Sequence, residues 1–145
     1  MKEANGNLWE IACDVRCVTT NGTVIDGEAT MGAGCALEAR AKTPRLPLIY
    51  GGLIDKFGNH VYLIKNNLRD CEPLVMFPVK HEVYQSADPE LIMRSCLELT
   101  SLADIYGWQT ILLPRPGCGH GKLEWGDVKP MIAPLLDDRV TVVTF

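Results

Sequence analysis

Short apolar runs of strand length alternate with helix-forming stretches along the whole of this chain, and that alternation leaves few folds open. Residues 8–12 (LWEIA) alternate apolar and polar, as a half-buried strand does. Residues 15–21 (VRCVTTN) are rich in β-branched side chains and end at the turn pair Asn21-Gly22. Further strands are expected over 60–66 (HVYLIKN), 73–79 (PLVMFPV), 110–114 (TILLP) and 140–145 (VTVVTF), with 66–72 (NNLRDCE) as a loop. Helix formers fill Gly34 to Lys42, and Pro44 disfavours helical geometry at Thr43, so the helix should stop there. Residues 47–58 are a second helical candidate. The clearest helix runs from Asp88, a capping residue, through Pro89 to Tyr106, with Gly107 at its exit. Its apolar positions Ile92, Cys96, Leu99, Ala103 and Tyr106 step by four and three and form one stripe for burial. Residues 124–136 also read as helical, shortened or bent by Pro130 and Pro134. The pattern predicts an α/β chain: a three-layer α/β/α sandwich with a central mixed sheet, in a single domain over 1–145.

Composition narrows the partners. Of 145 residues, 47% are hydrophobic, enough for one core. Lys and Arg number 14 against 18 Asp and Glu, a net charge of −4, so a broad surface for tracking nucleic-acid phosphates is not expected. No apolar run reaches the roughly 20 residues of a membrane helix, and MKEANGN lacks the apolar core of a signal peptide. A cytoplasmic monomer with no membrane partner is the expectation. Cys13, Cys17, Cys35, Cys71, Cys96 and Cys118 make no C-x-x-C, and no His stands at zinc-finger spacing. No metal and no cofactor is therefore expected, and the thiols read as reduced core or site residues. Cys13 and Cys17, four apart, would share one face of a strand. His60 and His81 read as structural, and Asp14 as a turn cap.

Two glycine loops sit where strands turn into helices. The first is Met31-Gly32-Ala33-Gly34-Cys35, leading into the helix over 34–42; the second is Gly117-Cys118-Gly119-His120-Gly121, following the strand over 110–114. In open α/β sheets, ligands bind beyond the carboxyl ends of strands. Glycine there lets the backbone approach a ligand and aim several N–H groups at it, and a helix N-terminus adds partial positive charge. Two such loops face to face would clamp a diphosphate without Lys or Arg, which suits an acidic protein. Neither is a P-loop or a dinucleotide fingerprint, and either alone is explained by tight-turn geometry.

Taken together, Gly6-Asn7-Leu8-Trp9, CDVRCVTTNG (13–22), MGAGCALEA (31–39), FPVKH (77–81) and LPRPGCGHGKLEW (113–125) resemble the macrodomain pattern in order and spacing. The resemblance covers essentially the whole chain. It is nearest to the branch holding the terminal ADP-ribose glycohydrolases, the ADP-ribose 1″-phosphate phosphatases and the antitoxin macrodomains that remove ADP-ribose from DNA bases. The likeness implies a macrodomain-like fold with ADP-ribose in a cleft at the carboxyl edge of the sheet. It implies that Asn7 stands where an Asp receives the adenine amino group. It places Thr19 or Asn21 beside the distal ribose, Met31 to Gly34 in the first phosphate loop, and Gly117, Cys118, Gly119, His120 and Gly121 in the second. Trp125 matches an aromatic behind that loop and reads as core.

Lys80 falls where the glycohydrolase and DNA-acting branches carry a catalytic lysine. The C1″ carbon of the distal ribose is a masked aldehyde, which an unprotonated amine can attack and hold. An isolated lysine is almost fully charged at neutral pH, so burial or a cationic neighbour is required for that role. A charged lysine would instead stabilise negative charge on a departing oxygen or phosphate. Without the resemblance, Lys80 reads as a solvated residue beside the turn His81-Glu82. Glycohydrolases acting on acidic side chains have an Asp in the second loop; the matching place here is Gly121, or His120 if the loop shifts by one. The DNA-acting branch also has glycine there. His120 is a candidate general acid or base near pH 7, or a polar residue on an exposed loop.

These readings imply an ADP-ribosyl hydrolase that releases ADP-ribose from a modified protein or nucleic acid. The alternatives are a non-catalytic ADP-ribose reader and an ADP-ribose 1″-phosphate phosphatase. Arg40, Lys42 and Arg45 after the first loop, with Arg115 and Lys122 in the second, would give a short basic rim if they line the cleft mouth.

Overall fold

The computed structural model describes residues 1–65 and 73–145. The expected 66–72 loop and Cys71 lie outside the described residues. Strands are β1 Lys2–Asn5, β2 Val15–Thr20, β3 Val24–Ile25, β4 Glu28–Ala29, β5 Tyr62–Ile64, β6 Leu74–Pro78, β7 Ile111–Pro114 and β8 Val140–Thr144. Helices are α1 Gly34–Lys42, α2 Leu46–Phe57, α3 Pro89–Tyr106 and α4 Trp125–Ile132, the last followed by a 3₁₀ turn over Ala133–Leu135. Six strands form a mixed sheet in the order β1-β8-β7-β2-β6-β5, parallel throughout except for β5 against β6. β3 and β4 make a separate hairpin, turned by Asp26-Gly27, both at positive φ.

Residue alternation sends the sheet's side chains into two layers. Val15, Cys17, Val75, Phe77, Ile111, Leu113, Val140 and Val142 pack under α3 and α4. Val18, Leu74, Met76 and Ile64 pack under α1 and α2 with Leu46 and Tyr50. This is the three-layer sandwich that the alternation predicts. α3 forms for the reasons its sequence gives. Asp88 accepts the Glu90 N–H at 3.0 Å, Pro89 opens the first turn, and Gly107 closes the helix at φ +70. Its stripe buries Ile92, Cys96, Leu99 and Ala103, where burial of each large aliphatic contributes roughly 1.5–3 kcal/mol. Tyr106 departs from the stripe: it is half-exposed and stacks on Trp108 with ring centroids 5.3 Å apart.

Two sequence expectations fail at the amino end. Residues 8–12 are not a strand. They form a turn whose Leu8 packs on Leu112 and Val143, with Trp9 and Ile11 beside them. The apolar alternation therefore marks a loop lid on the sheet, and its carbonyls are taken by a side chain. Arg16 Nε donates to the Leu8 carbonyl at 2.8 Å, and Arg16 Nη2 donates to the Ile11 carbonyl. The true first strand, β1, is the polar KEAN, paired in parallel with β8 at the sheet edge, where backbone bonds suffice without an apolar face. Cys13 and Cys17 also part company: β2 begins at Val15, Cys17 enters the α3 layer, and Cys13 packs beside Leu8. Asp14 does cap a turn, accepting the Gln109 and Thr110 N–H groups at 2.7 and 3.1 Å.

Candidate functional site

The parallel strands β2, β6, β7 and β8 all end at one edge of the sheet. The segments that follow them, with residues 30–36, enclose a cleft of about 1000 Å3. One wall holds Thr19, Thr20 and Asn21 with Val79, Lys80 and Val83. The two glycine loops line the same cleft.

In the first loop, Gly34 begins α1 at φ +57, a left-handed conformation that glycine adopts without strain. Ala33 stands at the N-cap with extended backbone and no side-chain capping bond, and no acidic residue lies in the first turn. The opening N–H groups of α1 are thus left with no side-chain cap, at the positive end of the helix dipole, on the cleft wall. Met31 is different: it is 1% exposed and lies in the core under α1 and α2, so its neighbours Thr30 and Gly32 to Ala36 line the cleft without it.

The second loop is folded on itself. The Leu123 N–H donates to the Gly117 carbonyl at 2.9 Å and Lys122 N–H to Gly119 at 3.1 Å. Gly117 sits at φ +77, where a Cβ would come 2.8 Å from Ile92 Cδ1 on α3. At Gly121 a Cβ would stand 2.5 Å from the Gly117 carbonyl oxygen and 2.8 Å from Ala87 Cβ. Gly121, one of the two places matched to the Asp of the resembled glycohydrolases, therefore has no room for a side chain, whereas His120, the other, is exposed. Gly119 and His120 are exposed, and His120 Cδ2 lies 3.7 Å from the position a Cβ on Gly34 would take. That contact brings the two loops face to face.

Lys80 follows β6 and is half-buried in the cleft wall. Its backbone is held from two sides: its N–H reaches the Thr20 carbonyl at 3.4 Å, and its own carbonyl accepts from Asn59 Nδ2 at 3.0 Å. The amine points to the Val83 carbonyl at a long 3.5 Å, and no described residue forms an ion pair with it. His81 turns away to Asp88, with Nε2 and Oδ2 2.7 Å apart; that bond, and the Glu90 N–H, hold the Asp88 carboxyl below the usual carboxylate range. His60 is likewise structural, 2.8 Å from Glu98 on α3.

Thr19 and Asn21 both line the cleft, with different freedom. Asn21 spends both ends of its amide, donating to the Thr30 carbonyl at 3.1 Å and accepting from Thr23 N–H at 3.0 Å. The Thr19 hydroxyl lies 3.3 Å from the Cys35 sulfur. Burial pushes the thiols of Cys35 and Cys118 up, so neither is poised as a thiolate. Asn7 lines a smaller cavity of about 140 Å3 that shares Cys35, Pro114, Val143 and Phe145 with the cleft; the Asn7 side-chain oxygen Oδ1 accepts the Trp9 N–H at 2.9 Å. Trp125, read as core, also lines the cleft, with the Arg115 guanidinium 5.1 Å over its ring.

The charge of the cleft runs against that of the chain. Its lining includes Lys80, Arg115 and Lys122 against one carboxylate, Glu124. Of the five basic residues that would give a rim if they lined the cleft mouth, Arg40, Lys42 and Arg45 are not in that lining, and Lys42 lies over Trp9. Among the described residues no group of side chains has the makings of a metal site, and no helix is long and apolar enough to cross a membrane. Sequence reading missed Asn59 and Thr23 as supports of the Lys80 segment, because their partners are distant in the chain and no motif marks them.

By sequence, no family model and no curated protein matches the chain. By structure, it superposes on the macrodomain of Mycobacterium tuberculosis DarG with a TM-score of 0.83 at 19% identity, covering 98% of this chain and 95% of that one. The chain has the macrodomain fold. The macrodomain of Thermus aquaticus DarG gives a TM-score of 0.82 at 21% identity over 99% and 97% of the two chains. Thermosipho africanus DarTG, solved in complex with ADP-ribose, gives 0.81 at 19% identity over 98% of this chain and 41% of that one.

Proposed function

We propose that this macrodomain-fold chain binds ADP-ribose in the cleft and hydrolyses a bond at C1″ of the distal ribose, freeing ADP-ribose from a modified macromolecule. The observation that carries the reading is that two glycine loops and Lys80, whose amine forms no ion pair with any described residue, line one cleft. The likeness to a DarTG solved with ADP-ribose supports the choice of ligand. The backbone N–H groups of Gly32 to Gly34 and Gly117 to Gly121 would hold the diphosphate, and the small cavity at Asn7 would take the adenine end. The distal ribose then lies toward Thr19, Asn21 and Lys80.

In the reaction, the Lys80 amine attacks C1″ and the bond from C1″ to the leaving atom breaks, its electron pair departing with the leaving group. His120, exposed on the cleft wall, gives that group a proton. Water then adds to C1″, giving its proton back to His120, the carbon–nitrogen bond breaks, and the amine is restored. No Asp takes part in the second loop: Gly121 leaves no space for one, and the other matching place holds His120.

One observation favours a second reading, a reader without catalysis: among the described residues the cleft lining offers a single acidic side chain, Glu124, outside the tight turn. Release of ADP-ribose from ADP-ribosylated DNA, ADP-ribosylated protein and ADP-ribose 1″-phosphate separates the readings. The unaltered protein should turn over at least one of them, and Lys80→Ala should lose at least about a hundredfold of that rate with ADP-ribose affinity by calorimetry nearly unchanged. Binding without any turnover identifies a reader; phosphate release from the third substrate alone identifies a phosphatase.

A further inference from the structure

The amine of Lys80 is kept apart from a carboxylate that is close in sequence. Glu82 lies two residues on, yet no ion pair joins them. Its carboxylate is held elsewhere: the Thr23 hydroxyl donates to Glu82 Oε2 at 2.6 Å. The same hydroxyl oxygen accepts the Val83 N–H at 2.8 Å. Val83 carries the carbonyl that Lys80 Nζ faces at 3.5 Å. Thr23 itself is fixed by Asn21 Oδ1, which accepts its N–H at 3.0 Å, and by Thr30, whose N–H it accepts at 3.0 Å. One neighbouring contact tightens the same seam. Gly22 N–H donates to the His81 carbonyl at 3.2 Å, so close that a Cβ on Gly22 would sit 2.5 Å from that oxygen.

We propose that Thr23 is a positioning residue for Lys80: its single hydroxyl holds the N–H of Val83, the residue whose carbonyl faces the amine, and ties the Glu82 carboxylate away from it. A hydroxyl suits both tasks because it donates once and accepts as well. Valine has the same shape and can do neither. Without the clamp, Glu82 is free to swing to Lys80, and an ion pair there opposes the neutral amine that attack on C1″ requires. Displacement of the Val83 carbonyl would also shift the amine, and misplacement on the scale of 1 Å costs about a hundredfold in rate. The inference rests on the hydrolase reading, in which Lys80 acts at C1″.

The test compares the unaltered protein with Thr23→Val, Thr23→Ser and the double variant Thr23→Val/Glu82→Gln, on whichever of ADP-ribosylated DNA, ADP-ribosylated protein or ADP-ribose 1″-phosphate the unaltered protein turns over fastest. Thr23→Val should lose roughly ten- to a hundredfold in kcat while KM and ADP-ribose affinity stay within about twofold. Thr23→Ser should keep the full rate, and Glu82→Gln in the valine background should restore most of the loss. A merely structural role for Thr23 predicts no such recovery from removing a charge. Equal kcat in Thr23→Val and the unaltered protein overturns the inference, and so does a loss that neither serine nor Glu82→Gln relieves. Absence of turnover by the unaltered protein, with ADP-ribose still bound, overturns the hydrolase reading and this inference with it.

Discussion

The two glycine loops look alike in sequence and are built for different reasons. In the first, a Cβ on Gly32 would meet nothing within 4 Å, and one on Gly34 would meet only the His120 ring at 3.7 Å. In the second, Gly117 and Gly121 are pressed against α3 and against each other, with a Cβ at Gly121 only 2.5 Å from a backbone oxygen. Glycine in the first loop leaves space on the side of the cleft. Glycine in the second lets the chain cross itself and hold Ala87, whose N–H donates to the Gly121 carbonyl at 3.0 Å. One loop is an open floor, and the other is a folded buttress that carries Gly119 and His120 to the opening.

That contrast orders the expected effects of substitution. The largest belongs to Gly121→Asp. It adds the carboxylate of the resembled glycohydrolases, but its Cβ must displace backbone, so it should destabilise by about 3 kcal/mol or more. Thermal melting checks this, and a stable Gly121→Asp protein would break the buttress account. Gly34→Ala comes next. The site has room, and the cost is that of the left-handed backbone alone, about 1 kcal/mol, read from the urea midpoint. The smallest stability effect is at Gly32→Ala, expected within about 0.5 kcal/mol of the unaltered protein. Its ADP-ribose affinity should nonetheless fall roughly tenfold, equivalent to about 1.4 kcal/mol of binding. If calorimetry shows full affinity in that variant, the first loop is not a ligand floor.

Much of the fold was legible because it rests on local chemistry. The caps Asp88 and Gly107 bound α3, and Pro44 ends α1 after Lys42. What escaped reading depends on distant partners. β1 has no apolar face and exists through its ladder with β8, while residues 8–12 alternate like a strand yet form a turn in which Arg16 satisfies the Leu8 and Ile11 carbonyls. The site divides in the same way. Glycines at strand ends announce a backbone cradle, and Lys80 follows a buried strand. The difference between an open glycine and a crowded one lies in contacts with α3, and the Thr23 clamp on Glu82 spans 59 residues. Met31, carried into the cleft with its loop, turns inward because the core under α2 takes its side chain.

The most direct test of the central claim is a crystal structure of this chain with ADP-ribose. The diphosphate should lie between Gly32–Gly34 and Gly117–Gly121, with the Lys80 amine about 3–3.5 Å from C1″, a distance from which attack is possible. A diphosphate bound elsewhere, or a distal ribose turned away from Lys80, would contradict the account.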